Sequence, residues 1–209
     1  MRTIPAGVPV SLSHSQSREV RGMSARNIVV IGASSGGIEA LQQLLPQLPA
    51  SYAGTLAVVL HTSADYPSVL PKILNRHSLL PVAHAIDGEA LRPSHIYIAP
   101  PDHHLLLQEC VMRLSRSPKE NYSRPAVDPL FRSAAETYGE QVVGVVLSGN
   151  LYDGTAGLMT IKHYGGVTIV QDPSEAQYPS MPQSAVSRSS PDYVLPLSEI
   201  AKALVRLAR

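Results

Sequence analysis

Residues 28–37 read IVVIGASSGG, and this stretch decides the fold. Its first six residues form a short apolar run with several β-branched side chains, which is typical of a parallel strand buried on both faces. The serines and glycines that follow predict a tight turn. Residues 38–48 then repeat apolar side chains at helical spacing until Pro49. The stretch therefore predicts a strand, a tight turn and a helix in succession.

The same alternation of strand and helix continues to the C-terminus. Apolar runs predict further strands at residues 55–60, 81–85, 95–99, 142–148 and 167–172. Helical patterns occupy residues 67–77 (with Pro71 as a candidate kink), 127–139 (closed by Gly139), 153–166, 181–188 and 197–209. Residues 104–114 fit either one strand or an antiparallel hairpin at the sheet edge. This order predicts an α/β fold: a doubly wound, mainly parallel, Rossmann-like sheet with helices on both faces.

The composition argues against several classes of partner. The 209 residues include 17 Lys and Arg against 16 Asp and Glu, for a formal net charge of +1. Because phosphate binding needs clustered positive charge, we expect no nucleic acid as the main partner. No apolar run is as long as a membrane span, and the N-terminus lacks the apolar core of a signal peptide. We therefore expect no membrane insertion and a cytoplasmic location.

The cysteine count and the N-terminal segment complete this outline. The single cysteine, Cys110, excludes an internal disulfide and fits a reducing compartment. Because it lies in the apolar-flanked run LLLQECVMRL, we expect a small buried side chain. Residues 1–26 are polar and aperiodic, which predicts a disordered leader or a remnant of cloning. Residues 27–209 are predicted to form one domain.

Three polar residues follow three of the predicted strands. Ser34 follows the first strand, His61 follows the second, and Asp153 lies in SGNLYDG after VVGVVL. Open α/β sheets bind ligands beyond the carboxyl ends of their strands, so we expect these side chains to lie together. A hydroxyl nucleophile, an imidazole base and a carboxylate that orients the base are the set that serine hydrolysis needs. The sequence therefore predicts a Ser-His-Asp triad.

Each of these residues also has a simpler interpretation when it is taken singly. Ser34 fits a structural or phosphate-binding turn, and His61 fits a polar residue at a strand end. Asp153 fits the N-cap of a helix that starts at Gly154. The joint placement favours the triad. The helix after Ser34 would also point its first N–H groups at a developing oxyanion, with the backbone N–H of Ser35 as the first donor.

Two other interpretations of the glycine turn fit less well. Residues 32–36 match the G-x-S-x-G pattern of α/β-hydrolases, but those enzymes place the acid before the histidine and the serine after a mid-sheet strand. GASSGG also resembles the opening of short-chain dehydrogenases. The second strand, however, ends at Leu60-His61 without an acid for a ribose or an arginine for a phosphate. The chain also contains no tyrosine followed four residues later by lysine.

From about Ile28 to its C-terminus, the chain resembles the catalytic domain of the chemotaxis receptor methylesterases, or protein-glutamate methylesterases. The resemblance is carried in chain order by VVIGASSGG, the strand ending at His61, DGEALRPSHIYIAPPDHHLLL, RPAVDPLFRSAAETYG, GVVLSGNLYDGTAGL and GGVTIVQDPSEAQYPSMPQSAV. Several segments in one order are far more specific than one short motif. The resemblance implies that Ser34, His61 and Asp153 are the triad.

The resemblance also implies a reaction and a partner. It implies hydrolysis of glutamate γ-methyl esters on the cytoplasmic domain of methyl-accepting chemoreceptors, deamidation of receptor glutamines, and an acyl-enzyme intermediate without metal or organic cofactor. Members of the family usually carry an N-terminal receiver domain. Residues 1–26 are too few to form one, so a regulatory partner is not identified.

The loop before Asp153 departs from the family pattern S/T-G-M-G-x-D-G. Asn150 replaces a methionine whose backbone N–H is expected in the oxyanion hole, and a backbone donor survives that change. Leu151 replaces a glycine, so a loop that needs positive φ at this position would have to differ here. Tyr152 adds a bulky side chain at the rim. These changes keep two alternatives open: hydrolysis of another ester or amide, and an inactive receptor-binding homologue.

The resemblance extends to residues around the cleft. It implies that the loop containing His104 lies near the mouth of the active site. Arg124 is a candidate for contact with an acidic receptor surface. Met181 lies in a family-like Met-Pro motif and is expected to shape the cleft, together with Tyr152.

Overall fold

The computed structural model describes residues 27–62 and 68–208, which contain nine strands and six α-helices. The strands are β1 (Ile28–Ala33), β2 (Thr55–Leu60), β3 (Val82–His84), β4 (Ile96–Ile98), β5 (His104–Gln108), β6 (Val111–Ser115), β7 (Val142–Val146), β8 (Val167–Gln171) and β9 (Tyr193–Leu195). The helices are α1 (Gly37–Leu44), α2 (Leu70–Leu74), α3 (Val127–Tyr138), α4 (Thr155–His163), α5 (Ser180–Ser189) and α6 (Leu197–Leu207). Short 3₁₀ turns follow α1 (Leu45–Gln47) and α3 (Gly139–Gln141). The predicted leader, residues 1–26, lies outside the described residues.

Seven of the strands form one parallel sheet in the order β3-β4-β2-β1-β7-β8-β9. From β1 the chain moves first to β2 on one side and later to β7 on the other side. The order of the strands thus reverses beside β1, where open α/β sheets form their ligand crevice. This arrangement confirms the predicted α/β fold. The antiparallel hairpin is also present, but β5 and β6 form a separate two-stranded sheet and not an edge of the large one.

Side chains of β1 alternate between two hydrophobic cores, one on each face of the sheet. Val29 and Ile31 pack into the core that α1 and α6 cover, whereas Val30 packs into the core under α3, α4 and α5. Both faces of the strand are fully buried. Burial on both faces explains why the sequence of β1 is apolar throughout and does not alternate.

Three local predictions differ from the structure. Helix α2 is shorter than predicted, and Pro71 lies in its first turn, where proline causes no kink. Strand β9 was not predicted, because it is a three-residue edge strand with exposed side chains. Cys110 is exposed and not buried, because it lies with Glu109 at the tip of the β5–β6 hairpin, where both residues have positive φ. No helix within the described ranges has the length and apolarity that crossing a membrane requires.

Candidate active site

The end of β1 places Ser34 in a tight turn at the sheet edge. The Ser34 N–H donates to the carbonyl of Ser148, two residues after β7, over 3.0 Å. On the other side, the His61 N–H donates to the carbonyl of Ala33 over 3.2 Å. These backbone hydrogen bonds thus fix the segments that follow β1, β2 and β7 relative to one another. Gly36 completes the turn with φ 72 at the N-cap of α1.

The structure brings together the three residues of the predicted triad. His61 Nδ1 lies 3.1 Å from Ser34 Oγ, and His61 Nε2 lies 2.8 Å from Asp153 Oδ2. The two contacts join residues 27 and 92 positions apart in the chain. The imidazole remains partly accessible, with 19% of its side chain exposed, whereas only 2% of the Asp153 side chain is exposed. This geometry leaves the serine end of the array open to solvent and the carboxylate end enclosed.

The hydrogen bonds determine which ring nitrogen of His61 can act as the base. A carboxylate accepts hydrogen bonds, so Nε2 carries the proton and donates a hydrogen bond to Asp153. Nδ1 of the neutral ring is then the acceptor that faces the Ser34 hydroxyl. This assignment is the reverse of the order in the chymotrypsin-type triad, where Nε2 faces the serine.

Asp153 accepts hydrogen bonds at the N-termini of two helices as well as from His61. Its Oδ2 accepts the Val127 N–H over 2.7 Å, and its Oδ1 accepts the N–H groups of Asp128 and Gly154 over 3.1 and 2.9 Å. Val127 and Asp128 are the first residues of α3, so Asp153 caps α3 across space. The expectation that Asp153 is the N-cap of the following helix is wrong, because Gly154, with φ 90, occupies that position. Asp153 is thus bound at both oxygens.

A close helix–strand approach makes this contact with α3 possible. A Cβ atom at Gly32, in β1, would clash with the side chain of Val127. Because glycine has no Cβ, the N-terminus of α3 can lie directly over the end of β1. Burial by itself raises the pKa of Asp153, but the hydrogen bonds from His61 and the Val127 N–H and the charge of His61 hold it below its ordinary value. The site therefore favours an ionised carboxylate.

Two residues beside Asp153 were not predicted from the sequence. Asn121 Nδ2 donates to Asp153 Oδ1 over 2.7 Å and to Asp128 Oδ2 over 2.8 Å. Burial, and then the charge of Asp153, raise the pKa of Asp128. An acid in the first turn of a helix is an ordinary N-terminal residue in sequence terms, and Asn121 lies in a polar segment without a pattern. The sequence therefore carried no signal for either contact.

The turns after β1 and β7 are also joined by side chains. Ser148 Oγ donates to the Ser35 carbonyl over 2.9 Å and accepts the Tyr178 N–H over 3.0 Å. Asn150 Nδ2 donates to Ser35 Oγ over 3.0 Å. The two residues predicted as oxyanion donors, Ser35 and Asn150, thus lie side by side next to Ser34.

Comparisons with known proteins identify the family of this chain. The family model for the CheB methylesterase matches residues 29–204. A protein of Anaeromyxobacter dehalogenans, named protein-glutamate methylesterase/protein-glutamine glutaminase 2, is 42% identical over 87% of this chain and 53% of its own length. A second relative, from Leptospira interrogans, has the same two activities in its name, which marks them as provisional. It is 38% identical over 86% of this chain and 93% of its own length.

A solved structure gives the same result. The crystal structure of the Thermotoga maritima CheB methylesterase catalytic domain superposes with a TM-score of 0.83 at 37% sequence identity. The match covers 88% of this chain and 99% of that one. The chain belongs to the CheB methylesterase family.

The loop before Asp153, which departs from the CheB pattern, keeps a left-handed backbone conformation at Leu151, although leucine stands there in place of glycine. Leu151 has φ 66, a conformation that glycine adopts at low cost and leucine does not. The loop is fixed on either side, because the Leu151 N–H donates to Ser180 Oγ over 2.9 Å and the Met181 N–H donates to the Gly149 carbonyl over 2.9 Å. The side chains of Leu151 and Tyr152, just before Asp153, are exposed.

The structure corrects the predicted role of His104 in the CheB-type cleft. His104 is completely buried and lines no cleft. Its Nδ1 accepts the Ala126 N–H over 3.2 Å, and its Nε2 therefore donates to the Pro118 carbonyl over 3.1 Å. The imidazole thus holds the segment between β6 and α3 against the hairpin.

Arg124 and Met181 also make structural contacts. The Arg124 guanidinium donates to Asp102 Oδ1 through Nε and Nη2, over 2.9 and 2.7 Å, and to the Arg116 and Ser117 carbonyls through Nη1. The positive charge of Arg124, which was expected to contact a receptor, is therefore already paired within the chain. Met181 is completely buried, and a Cβ at Gly149 would lie 2.5 Å from its sulfur and 2.9 Å from Ser34 Cβ. Met181 therefore packs against Gly149, which lies beside Ser34, and does not line an open cleft.

Proposed function

We propose that this chain hydrolyses glutamate γ-methyl esters on the cytoplasmic domain of chemoreceptors, with Ser34, His61 and Asp153 as its catalytic triad. The observation that carries the proposal is the continuous series of contacts from Ser34 Oγ to His61 Nδ1 and from His61 Nε2 to Asp153 Oδ2, at 3.1 and 2.8 Å. Membership of the CheB methylesterase family supports the substrate. A reaction on that receptor domain takes place in the cytoplasm.

The first half of the reaction acylates the enzyme. Ser34 Oγ attacks the carbonyl carbon of the ester while its proton moves to His61 Nδ1. The carbonyl oxygen gains negative charge, which the backbone N–H groups of Ser35 and Asn150 stabilise. Asp153 stays ionised throughout, accepts the hydrogen bond from the Nε2–H group, and stabilises the imidazolium. The intermediate collapses, the methoxy group takes the proton from Nδ1, and methanol leaves behind a glutamyl ester on Ser34.

The second half regenerates the enzyme. Water gives a proton to His61 Nδ1 as its oxygen attacks the acyl carbon. The bond to Ser34 Oγ breaks, Oγ takes the proton back, and a free glutamate side chain is released. A receptor glutamine follows the same route, with ammonia as the first leaving group in place of methanol.

The decisive experiment measures methanol release from membranes that carry methylated chemoreceptors. We expect Ser34→Ala to lower the rate by roughly 10⁴- to 10⁶-fold relative to the wild type, because the acyl-enzyme can no longer form. Circular dichroism of the variant provides the control for folding. Methanol release at an unchanged rate by a folded Ser34→Ala variant would exclude the triad.

A second candidate function uses the same triad on a different ester or amide. The exposed side chains of Leu151 and Tyr152 favour it, because bulk directly before Asp153 would alter the access of a substrate to the triad. Hydrolysis of small esters, together with labelling of Ser34 by a fluorophosphonate probe but without methanol release from receptors, would support it. A folded wild-type chain that does not react with the probe would instead indicate an inactive receptor-binding homologue.

A further inference from the structure

A tight turn at residues 120–123 presents two residues in opposite directions. The Ser123 N–H donates to the Glu120 carbonyl over 2.8 Å, and the Glu120 N–H donates to the Ser123 carbonyl over 3.2 Å. The two central residues, Asn121 and Tyr122, have φ 48 and 65. Two successive positive φ angles are the mark of a type I′ turn, in which asparagine is favoured and tyrosine is not. Tyr122 points outwards with 82% of its surface exposed, and Asn121 points towards the triad.

Contacts on several sides hold this turn in place. Arg132 Nη2 lies 2.8 Å from both carboxylate oxygens of Glu120. Ser123 Oγ donates to the Pro125 carbonyl over 2.7 Å. His104 and Arg124, described above, bind carbonyls of the segment just before the turn. The backbone of Asn121 is therefore held firmly enough to direct its side chain.

The amide of Asn121 lies between two buried carboxylates. Asp153 and Asp128 are 2% and 5% exposed, and the single Nδ2 atom donates one hydrogen to each of them. Two like charges at close range in a poorly solvated site repel each other. Asp128 has a further donor in the Gly157 N–H, at 2.7 Å. The charge of Arg132 lowers the pKa of Asp128, but Arg132 is itself paired with Glu120. Among the described residues, Asn121 and His61 are the two side chains that donate to Asp153.

We propose that Asn121 is a positioning residue for the hydrolytic reaction, because its amide separates Asp128 from Asp153 and fixes the Asp153 carboxylate with Oδ2 towards His61. The inference rests on the proposed triad. Without the amide, Oδ1 of Asp153 loses a donor and faces Asp128 directly. The carboxylate is then less firmly oriented towards His61, and fewer hydrogen bonds neutralise its negative charge beside the ring. Neither effect requires Asn121 to touch a substrate.

The test uses Asn121→Gly, because glycine keeps the positive φ of the turn and removes only the amide. Labelling of Ser34 by a fluorophosphonate probe measures the reactivity of the nucleophile without any receptor. We expect the labelling rate to fall by about 10- to 100-fold, the size of effect that one hydrogen bond to a charged group produces. We also expect the acid limb of the pH–rate profile to move to higher pH, since a less neutralised Asp153 favours the protonated imidazole. A small-ester substrate should show the loss in kcat with KM nearly unchanged.

Two further variants separate positioning from a general structural effect. Asn121→Asp keeps the size and tolerates the turn but adds a third carboxylate, so it should lower the rate more and move the acid limb further. Tyr122→Gly alters the same turn at its exposed residue and should leave the rate and the acid limb unchanged. Thermal unfolding of each variant provides the control for folding.

The outcomes distinguish this inference from the proposed function. Normal labelling and an unmoved acid limb in folded Asn121→Gly would overturn the inference and leave the triad intact. An equal loss in Tyr122→Gly, without a shift of the acid limb, would also overturn it, because the turn would then matter only as structure. A wild type that labels in an Asn121-dependent way but releases no methanol from receptors would support the inference and contradict the proposed substrate. A wild type that does not label at all would overturn both.

Discussion

The turn after β1 and the turn after β7 face each other across the sheet edge, yet they meet their backbone requirements differently. In the first turn, the residue with positive φ is Gly36. In the second turn, Leu151 takes φ 66 before Gly154 takes φ 90. In the first turn, the residue with positive φ is thus a glycine, which adopts that conformation at low cost. In the second turn, positive φ falls on Leu151, for which it is unfavourable. Strain of this kind persists only where the surrounding contacts determine the backbone, as the hydrogen bonds of Gly149 and Leu151 do here.

The difference suggests a division of roles between the two turns. The first turn presents the nucleophile on a backbone that its own glycines favour. The second turn presents the enclosed carboxylate, and its position depends on partners in α3, α5 and the Asn121 turn. A change in the second turn should therefore act mainly through those partners, whereas a change in the first turn should act through its own conformation and through its contact with the second turn.

The largest effect is expected for Asp153→Asn in the second turn. The amide cannot accept hydrogen bonds at both of its ends, so either His61 or the N–H groups of α3 lose a partner. Loss of the correct tautomer of the base should lower the rate of Ser34 labelling by roughly 10⁴-fold, as it does in other triads. Probe kinetics on the folded variant measure this effect. A rate within tenfold of the wild type would mean that Asp153 does not orient the base.

A smaller effect is expected for Gly36→Ala in the first turn. The new Cβ would lie 2.7 Å from Ser148 Oγ and 2.8 Å from Gln177 Oε1, in a residue with φ 72. The conformational cost alone is about 1–2 kcal/mol, and the crowding adds to it. Urea unfolding measures the loss of stability.

Gly88→Ala is the matched control for this substitution. Gly88 has φ 77, but a Cβ there would meet nothing closer than 3.5 Å. It should therefore lose only the conformational part, about 1–2 kcal/mol. Equal losses in the two variants would show that contact with the second turn does not restrict the first.

The smallest effect, and one of opposite sign, is expected for Leu151→Gly. Glycine removes the left-handed cost of about 1–2 kcal/mol but increases the entropy of the unfolded chain by about 0.5–1 kcal/mol. The free energy of unfolding should therefore rise by about 0.5 kcal/mol. Leu79→Gly is the control, because Leu79 is similarly exposed, at 65% against 58%, and does not have positive φ. That variant should lose stability, and a similar loss in Leu151→Gly would show that Leu151 is not strained.

Much of the fold could be predicted from the sequence because buried segments have a recognisable local pattern of apolar residues. The continuous apolar run of β1 predicted a strand buried on both faces, and the glycines after it predicted the turn that presents Ser34. Prediction from this pattern failed where an element is short or exposed. Strand β9 contributes only three residues at the sheet edge, and Cys110 lies at a hairpin tip despite its apolar neighbours.

The candidate site was predictable in part for the same reason. Ser34 and His61 follow strands directly, so the topology rule was enough to bring them together. His104 was misplaced because residues next to a strand end can point into the protein as well as towards the cleft. Asn121 was missed because it lies in a polar segment whose backbone is set by contacts with distant residues, such as Arg132.

The sequence by itself determined the strand and helix order, the edge of the sheet at which a site forms, and the residue types of the triad. These features depend on periodicity and on chemical identity, which any local stretch of the chain displays. Only the tertiary structure decided that Asp153 caps α3 and not α4, that Nδ1 of His61 faces the nucleophile, and that Asn121 lies between two carboxylates. These contacts join positions far apart in the chain, and their geometry depends on how closely the elements pack, which no local pattern records.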